Sequence, residues 1–321
     1  MADSSTPKSP LPLVAVVGPT ASGKTALSLG LARRLRGEIV SADSMQIYRG
    51  MDIQTAKPSK AEMGEIPHHL IGVLGTEESC SVAQYQALAK AAIADIHARG
   101  RLPLLVGGTG LYVGAVVDNT LFGEMEFDPA LRARLTRELE TLGGEPMLER
   151  LRVIDPAAAQ KLHPNNTHRI IRALEVYETT GKTLSAFWAQ SHEKPSPYQT
   201  IMLGVTFRDR ARLYERIDRR VEEMLENGLL EEVCALRTQT LSATARQAIG
   251  CKELAGWFGG VLSLPEAVEN LKRQTRRYAK RQLTWFGRDE RVQWLYQEDG
   301  DTLDKAVRLI ADMLQALDHR A

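Results

Sequence analysis

The chain has 321 residues, 43% hydrophobic and 25% charged, with a formal net charge of +1. That composition describes an ordinary globular protein with room for a large core and a second, smaller unit. It excludes a uniformly basic nucleic-acid binder, and no apolar run approaches the ~20 residues of a helical membrane span. In chain order, residues 1–10 (MADSSTPKSP) lack a basic stretch followed by an apolar one. They are read as a disordered tail rather than a secretory leader. LPLVAVV (11–17) is a β-branched, apolar run expected to form a buried strand. GPTASGKT (18–25) follows, and then TALSLGLARRL with Leu27, Leu31 and Leu35 at helical spacing. Strand, glycine loop and helix is the context in which G-x-x-x-x-G-K-T cradles phosphate.

Gly18, Pro19, Thr20, Ala21, Ser22, Gly23, Lys24 and Thr25 are therefore expected to wrap a diphosphate or triphosphate. The glycines let backbone N–H groups converge, and the helix start adds partial positive charge. Lys24 supplies a point charge, and Thr25 a hydroxyl suited to Mg²⁺. EIVSAD (38–43) reads as a second strand delivering Asp43 at its end, followed by a polar loop through Pro58. Val82, Tyr85, Leu88, Ala92, Ile93 and Ile96 predict a helix ended by Gly100, and RLPLLVGGTG (101–110) a third strand. Alternating strands and helices predict an α/β fold, a P-loop NTPase-like parallel sheet flanked by helices. On such a sheet the loop, Asp43 and Thr109 would share the rim at the strands' carboxyl ends.

From 119 to 196 no strand pattern is present. Asp-Pro starts at 128 and 155 and glycines at 143 and 181 punctuate helices. This predicts an all-helical insertion domain at 119–196 within a core made of 11–118 and 197–321. YQTIMLGVTF (198–207) and VQWLY (292–296) return to strand, and a terminal amphipathic helix closes the chain.

Asp43 admits three readings: a magnesium ligand, a general base, or a cap for the following turn. The strand LPLLVGG ends in glycines, without the Asp that holds Mg²⁺ in many ATPases, which weakens a phosphoryl-transfer reading. Between Leu271 and Gly287 there are six Lys or Arg residues and no acid. Arg273, Arg276, Arg277, Lys280 and Arg281 fall within an arc of about 140° on a helical wheel. Leu271, Tyr278, Gln282, Trp285 and Phe286 lie opposite. The basic arc is expected to meet either solvent or a polyanion. Arg216 and Arg220, at i and i+4, place one guanidinium within reach of a phosphate. His68, His69, His163 and His168 lack the Cys or Glu company of a metal site. Cys80, Cys234 and Cys251 are odd in number and far apart, as expected of reduced thiols in a cytoplasmic protein.

SADSMQIYRGMDI (41–53), TAKP (55–58), PHHLI (67–71), LLVGGTGLY (104–112), HRIIRALEV (168–176), RQAIG (246–250) and RRYAKRQLTWF (276–286) join GPTASGKT in one order. Together they resemble the bacterial tRNA dimethylallyltransferases, which prenylate N6 of adenosine 37 beside the anticodon. That family commonly has Tyr at the position of Cys251, Gly at Gln54 and Asp at Gly72. No heptad seam is present in the sequence, and a monomer is expected. The resemblance implies a loop that holds dimethylallyl diphosphate with Mg²⁺ at Thr25, and an Asp43 that accepts the adenine proton. Thr109, Lys24, Arg216 and Arg220 would complete the catalytic set. The anticodon stem-loop of tRNA would be met by three segments: Asp43, Ser44, Met45 and Gln46; His168, Arg169, Ile170, Ile171 and Arg172; and Gln247, Ala248, Ile249, Gly250, Cys251 and Lys252. Arg276, Arg277 and Lys280 of the basic helix would join them. An adenylate isopentenyltransferase and a small-molecule kinase remain as alternatives.

Overall fold

The computed structural model describes residues 10–122, 128–193 and 195–319. The tail expected at 1–10 lies, apart from Pro10, outside them. The chain divides into two compact units, residues 1–117 with 197–321, and residues 118–196.

The larger unit is built on a parallel sheet of six strands in the order β3-β2-β4-β1-β5-β6. These are β1 (Leu11–Val17), β2 (Gly37–Ser41), β3 (His68–His69), β4 (Leu102–Gly107), β5 (Tyr198–Thr206) and β6 (Val292–Tyr296). β1 is central, with Val14 beside Leu104 of β4 and Ile201 of β5. Its residues alternate between two cores. Val14 and Val16 pack with Leu27 and Leu31 of α1 (Lys24–Leu35), and Leu13, Ala15 and Val17 face Tyr85 and Ile93 of α3 (Val82–Ala98). Burial on both faces is what a continuous apolar strand implies. The short α2 (Lys60–Met63) precedes β3, and α4 (Gly110–Val117) follows β4.

The helical unit contains α5 (Pro129–Leu142), α6 (Gly144–Ile154), α7 (Pro156–Ala159), α8 (Thr167–Thr180) and α9 (Leu184–Glu193). Asp128 and Asp155 cap the two Pro-led helices by accepting backbone N–H groups, and Gly181, at φ 68°, closes α8. Leu135, Leu148, Leu151, Ile170 and Leu174 form this unit's own core. The larger unit then resumes with α10 (Arg210–Glu226), α11 (Leu229–Arg237), α12 (Cys251–Phe258), α13 (Leu264–Phe286) and α14 (Thr302–Asp318).

Several expectations need correction. Leu88 is exposed, and Gln86 and Ala89 take its place on the buried face of α3. The loop expected to be polar after Asp43 buries Ile47, Tyr48 and Met51 completely. The HH pair is a short edge strand, with His69 Nε2 2.8 Å from the buried Glu38 carboxylate. The β2 ladder stops at Ser41, so Asp43 sits two residues beyond its end.

Candidate active site

The phosphate loop is shaped by close packing. Gly18 has φ 138°, and a Cβ there would fall 2.3 Å from the Val205 carbonyl oxygen. Gly107 ends β4 without a side chain because a Cβ would meet Ala42 O at 2.1 Å. Ala21 adopts φ 61°, a left-handed conformation that costs a non-glycine residue about 1–3 kcal/mol and that clusters at ligand-binding loops. The loop runs straight into α1, whose N-cap is Gly23 and whose first turn holds no acid.

Two helices converge on the loop. From α10, Arg216 Nε donates to Ala21 O at 3.0 Å, and Arg220 Nη1 to Thr20 Oγ1 at 3.3 Å. The sequence puts one of the two within reach of a phosphate; both hydrogen-bond the loop's own atoms. From α13, Gln282 Oε1 accepts from Thr20 N at 2.9 Å while its Nε2 donates to Gly108 O at 3.0 Å. Gln282 thus ties the phosphate loop to the β4–α4 turn. It was placed on the packing face, and a lone amide among apolar neighbours is the signal that could have singled it out.

Burial, reinforced by the nearby Arg220 charge and opposed by Asp43, pulls the Lys24 ammonium down to about 7. Burial also lowers Arg220, with Asp43 opposing. Two desolvated cations with one nearby carboxylate favour an incoming anion. Lys24 Nζ meanwhile donates to Pro19 O at 2.6 Å.

Asp43 Oδ1 accepts from Met45 N at 2.9 Å and Gln46 N at 3.3 Å, so it caps the next turn. Its Oδ2 has no hydrogen-bond partner among the described residues. Thr109 Oγ1 accepts from Ser44 N at 3.0 Å and donates to Ser44 Oγ at 3.3 Å. Thr109 therefore reaches the site through Ser44. Gln46 is committed internally, accepting from Ser41 Oγ and donating to Thr55 O and Ala56 O. The loop carrying those carbonyls is held by Glu232, whose carboxylate accepts the backbone N–H groups of Asp52, Ile53 and Gln54 at 2.8–2.9 Å. Tyr278, missed as a site residue, lines the same cavity as Asp43 and Gln282; burial and the Asp43 charge push its phenol up.

These groups surround a cavity of about 410 Å³. Thr20, Lys24, Thr25, Asp43 and Arg220 line one part, and Ile217, Val221, Met224, Leu229, Ile249 and Leu271 another. A larger cleft of about 1210 Å³ lies along the other flank of the loop and is lined by Arg216, Arg220 and residues 21–26.

Not every expected RNA-contacting residue is available. Ile170 and Ile171 are buried in the helical unit's core, because α8 turns that face inward. Arg172 is exposed but pairs with Glu175 at 2.9 Å; His168 and Arg169 are exposed. Ala248 and Gly250 are buried, and Cys251 directs its Sγ at Gln54 Oε1, 3.6 Å away, while burial raises its thiol. Gln247 lines the cavity and accepts from Lys252 Nζ at 2.6 Å. Arg276 is not part of an uncompensated face, since it pairs with Asp218 at 2.6 Å and Glu269 at 2.8 Å. Arg277 and Lys280 are exposed.

The IPP transferase family model matches residues 46–289, and a model for isopentenyl transferases matches residues 11–71. The chain belongs to the IPP transferase family. A tRNA dimethylallyltransferase of Symbiobacterium thermophilum is 50% identical over 306 residues, covering 95% of each chain. One from Caldanaerobacter subterraneus is 47% identical over 296 residues, or 91% of this chain and 94% of that one. The crystal structure of the full-length tRNA isopentenylpyrophosphate transferase of Bacillus halodurans superposes with a TM-score of 0.72 at 44% identity, over 96% of this chain and 98% of that one. A eukaryotic dimethylallyltransferase acting on tRNA gives a TM-score of 0.82 at 28% identity, over 95% and 80%.

Proposed function

We propose that this IPP transferase family member moves a dimethylallyl group from dimethylallyl diphosphate to N6 of adenosine 37 in tRNA, releasing diphosphate. One observation carries the reading beyond family membership. A single cavity joins a cationic phosphate cradle, an apolar wall and a carboxylate. A nucleoside triphosphate has no hydrocarbon to set against Val221, Met224, Leu229 and Leu271; a prenyl diphosphate has.

In the reaction the N6 lone pair forms a bond to C1 of the prenyl group. The C1–O bond breaks, and its electron pair leaves on the diphosphate. Lys24, Arg220 and the N–H groups of the loop neutralise that charge as it develops. Asp43 Oδ2 takes the proton lost by N6, while the cap on Oδ1 fixes the carboxylate's direction. Thr109 and Gln282 hold Ser44 and the loop in place.

The donor set also suits Mg²⁺, which favours few protein oxygens completed by phosphate oxygens and water. The Thr25 hydroxyl would hold it. When bound, the ion adds Lewis-acid stabilisation of the leaving diphosphate. Arg169, Arg277 and Lys280 are exposed cations and His168 an exposed imidazole, all suited to RNA phosphates. We place the enzyme in the cytoplasm as a monomer; its described cysteines are free, and no described helix is long and apolar enough to cross a membrane.

The test is transfer of label from dimethylallyl diphosphate to unmodified tRNA or to AMP. Label in tRNA supports the reading, and label in AMP alone overturns it.

A further inference from the structure

At the edge of its buried seam α13 carries an exposed aromatic that the proposed reaction does not use. Trp285 was expected to pack inward, yet it is 46% exposed. Its neighbour in space is the start of α4. A Cβ on Gly110 would lie 2.2 Å from the indole, so the ring covers that residue's backbone. Gly110 follows Thr109, which holds Ser44 beside Asp43. Leu111, next along, is 51% exposed.

Tyr278, Arg281 and Trp285 stand at i, i+3 and i+7, on one helical stripe. Tyr278 and Arg281 line the reaction cavity, and the Arg281 guanidinium lies 5.6 Å from the Tyr278 ring centroid. The stripe therefore runs from the cavity lining outward to an exposed indole. Arg288 shares a shallow surface cleft with the indole, together with Asp289, Glu290 and Arg291, and Arg281 stands one helical turn before it; Arg281 and Arg288 are exposed, with no carboxylate partner among the described residues. An open, flat aromatic flanked by exposed cations, one to two helical turns along α13 from residues that line the proposed nucleobase cavity, is the chemistry of a base-stacking platform. An acidic peptide would use the cations but would leave the indole face without a planar partner.

We propose that Trp285 stacks on the unpaired nucleotide adjoining the reacting adenosine, holding it at the cavity mouth while the adenosine is inside. This rests on the reading that the acceptor is RNA. It makes Trp285 a positioning residue that acts on acceptor binding rather than on bond making.

The experiment uses the full chain, dimethylallyl diphosphate and an anticodon stem-loop, either intact or with an abasic residue immediately 5′ or 3′ of the target. Trp285→Ala is expected to raise KM for the intact stem-loop about tenfold, with kcat and donor affinity within about twofold. Trp285→Phe should restore most of the loss. One abasic substitution should cost the parent a similar factor and cost Trp285→Ala nothing more. If Trp285→Ala matches the parent in KM, or if both abasic penalties persist in full in the variant, the proposal falls. A melting temperature of Trp285→Ala close to the parent's separates lost stacking from lost folding, and Trp285→Phe supplies the comparison where alanine unfolds the chain. If the parent transfers no label to RNA at all, the underlying reading falls as well, which is distinguishable from an active parent indifferent to Trp285.

Discussion

At the scale of single residues, Asp43 carries two tasks on two oxygens. Oδ1 holds the turn through Met45 N and Gln46 N, and Oδ2 would serve as the base in the proposed reaction. Asn preserves the first task, since its amide oxygen also accepts, and removes the second. Asp43→Asn should therefore slow single-turnover transfer by about 10²–10⁴. Donor affinity by calorimetry should stay within about threefold. A rate close to the parent's would remove Asp43 as the base. Lys24 makes a separate prediction. With its ammonium pulled down to about 7, a large fraction is neutral at pH 8. A diphosphate beside it favours the charged form, so donor binding should take up protons between pH 7 and 9. Calorimetry in buffers of different ionisation enthalpy measures this directly; zero uptake, or release, would mean the lysine is already charged in the free protein. Of these roles, the cradle was legible from the spacing of Gly18, Gly23, Lys24 and Thr25. The division of labour within Asp43 was not, because the cap and the base were readings of one side chain. The geometry shows the cap on Oδ1 and leaves Oδ2 for the proposed base role.

At the scale of elements, α13 shows what a helical wheel can and cannot say. The wheel found the buried seam of Leu271, Gln282 and Phe286. It could not see that Asp218 and Glu269 come to meet Arg276, one from α10 and one a helical stretch earlier, nor that Trp285 lies at the edge of the seam. The two kinds of cation should behave differently. Arg276→Ala should cost about 1 kcal/mol of stability, a modest figure for partly exposed pairs, and leave the salt dependence of tRNA binding unchanged. Arg277→Ala with Lys280→Ala should leave stability alone and reduce the slope of log K against log salt by about 1–2. The reverse pattern would put the RNA on the other side of the helix. Gln282 ties two loops with a single buried amide. Gln282→Leu strands Thr20 N and Gly108 O, at about 1–3 kcal/mol for each group. Thermal unfolding should fall by several degrees and donor affinity by about tenfold; unchanged affinity would show that the loop holds its shape without α13.

At the scale of the molecule, the parallel sheet and its phosphate loop were readable because β1, β4 and β5 are largely apolar runs and α1 and α3 have a clear period; the His68–His69 edge strand has no such pattern and was not. The all-helical stretch was readable from its Asp-Pro starts and glycine stops, though α6 and α9, which lack such punctuation, were not. The buried core beneath the 44–58 loop was missed because Ile47, Tyr48 and Met51 form too short an apolar set among polar residues and glycines to predict a buried element. Function was legible mainly through the ordered set of motifs, since a phosphate loop alone names no substrate. What the structure adds is the cavity in which cations, hydrocarbon and carboxylate meet. The most direct test of that account is one incubation of the purified protein with Mg²⁺, labelled dimethylallyl diphosphate and either tRNA lacking the modification or AMP. The account predicts label at adenosine 37 of the tRNA with stoichiometric release of diphosphate. Label in AMP alone, or ATP consumption without prenyl transfer, would contradict it.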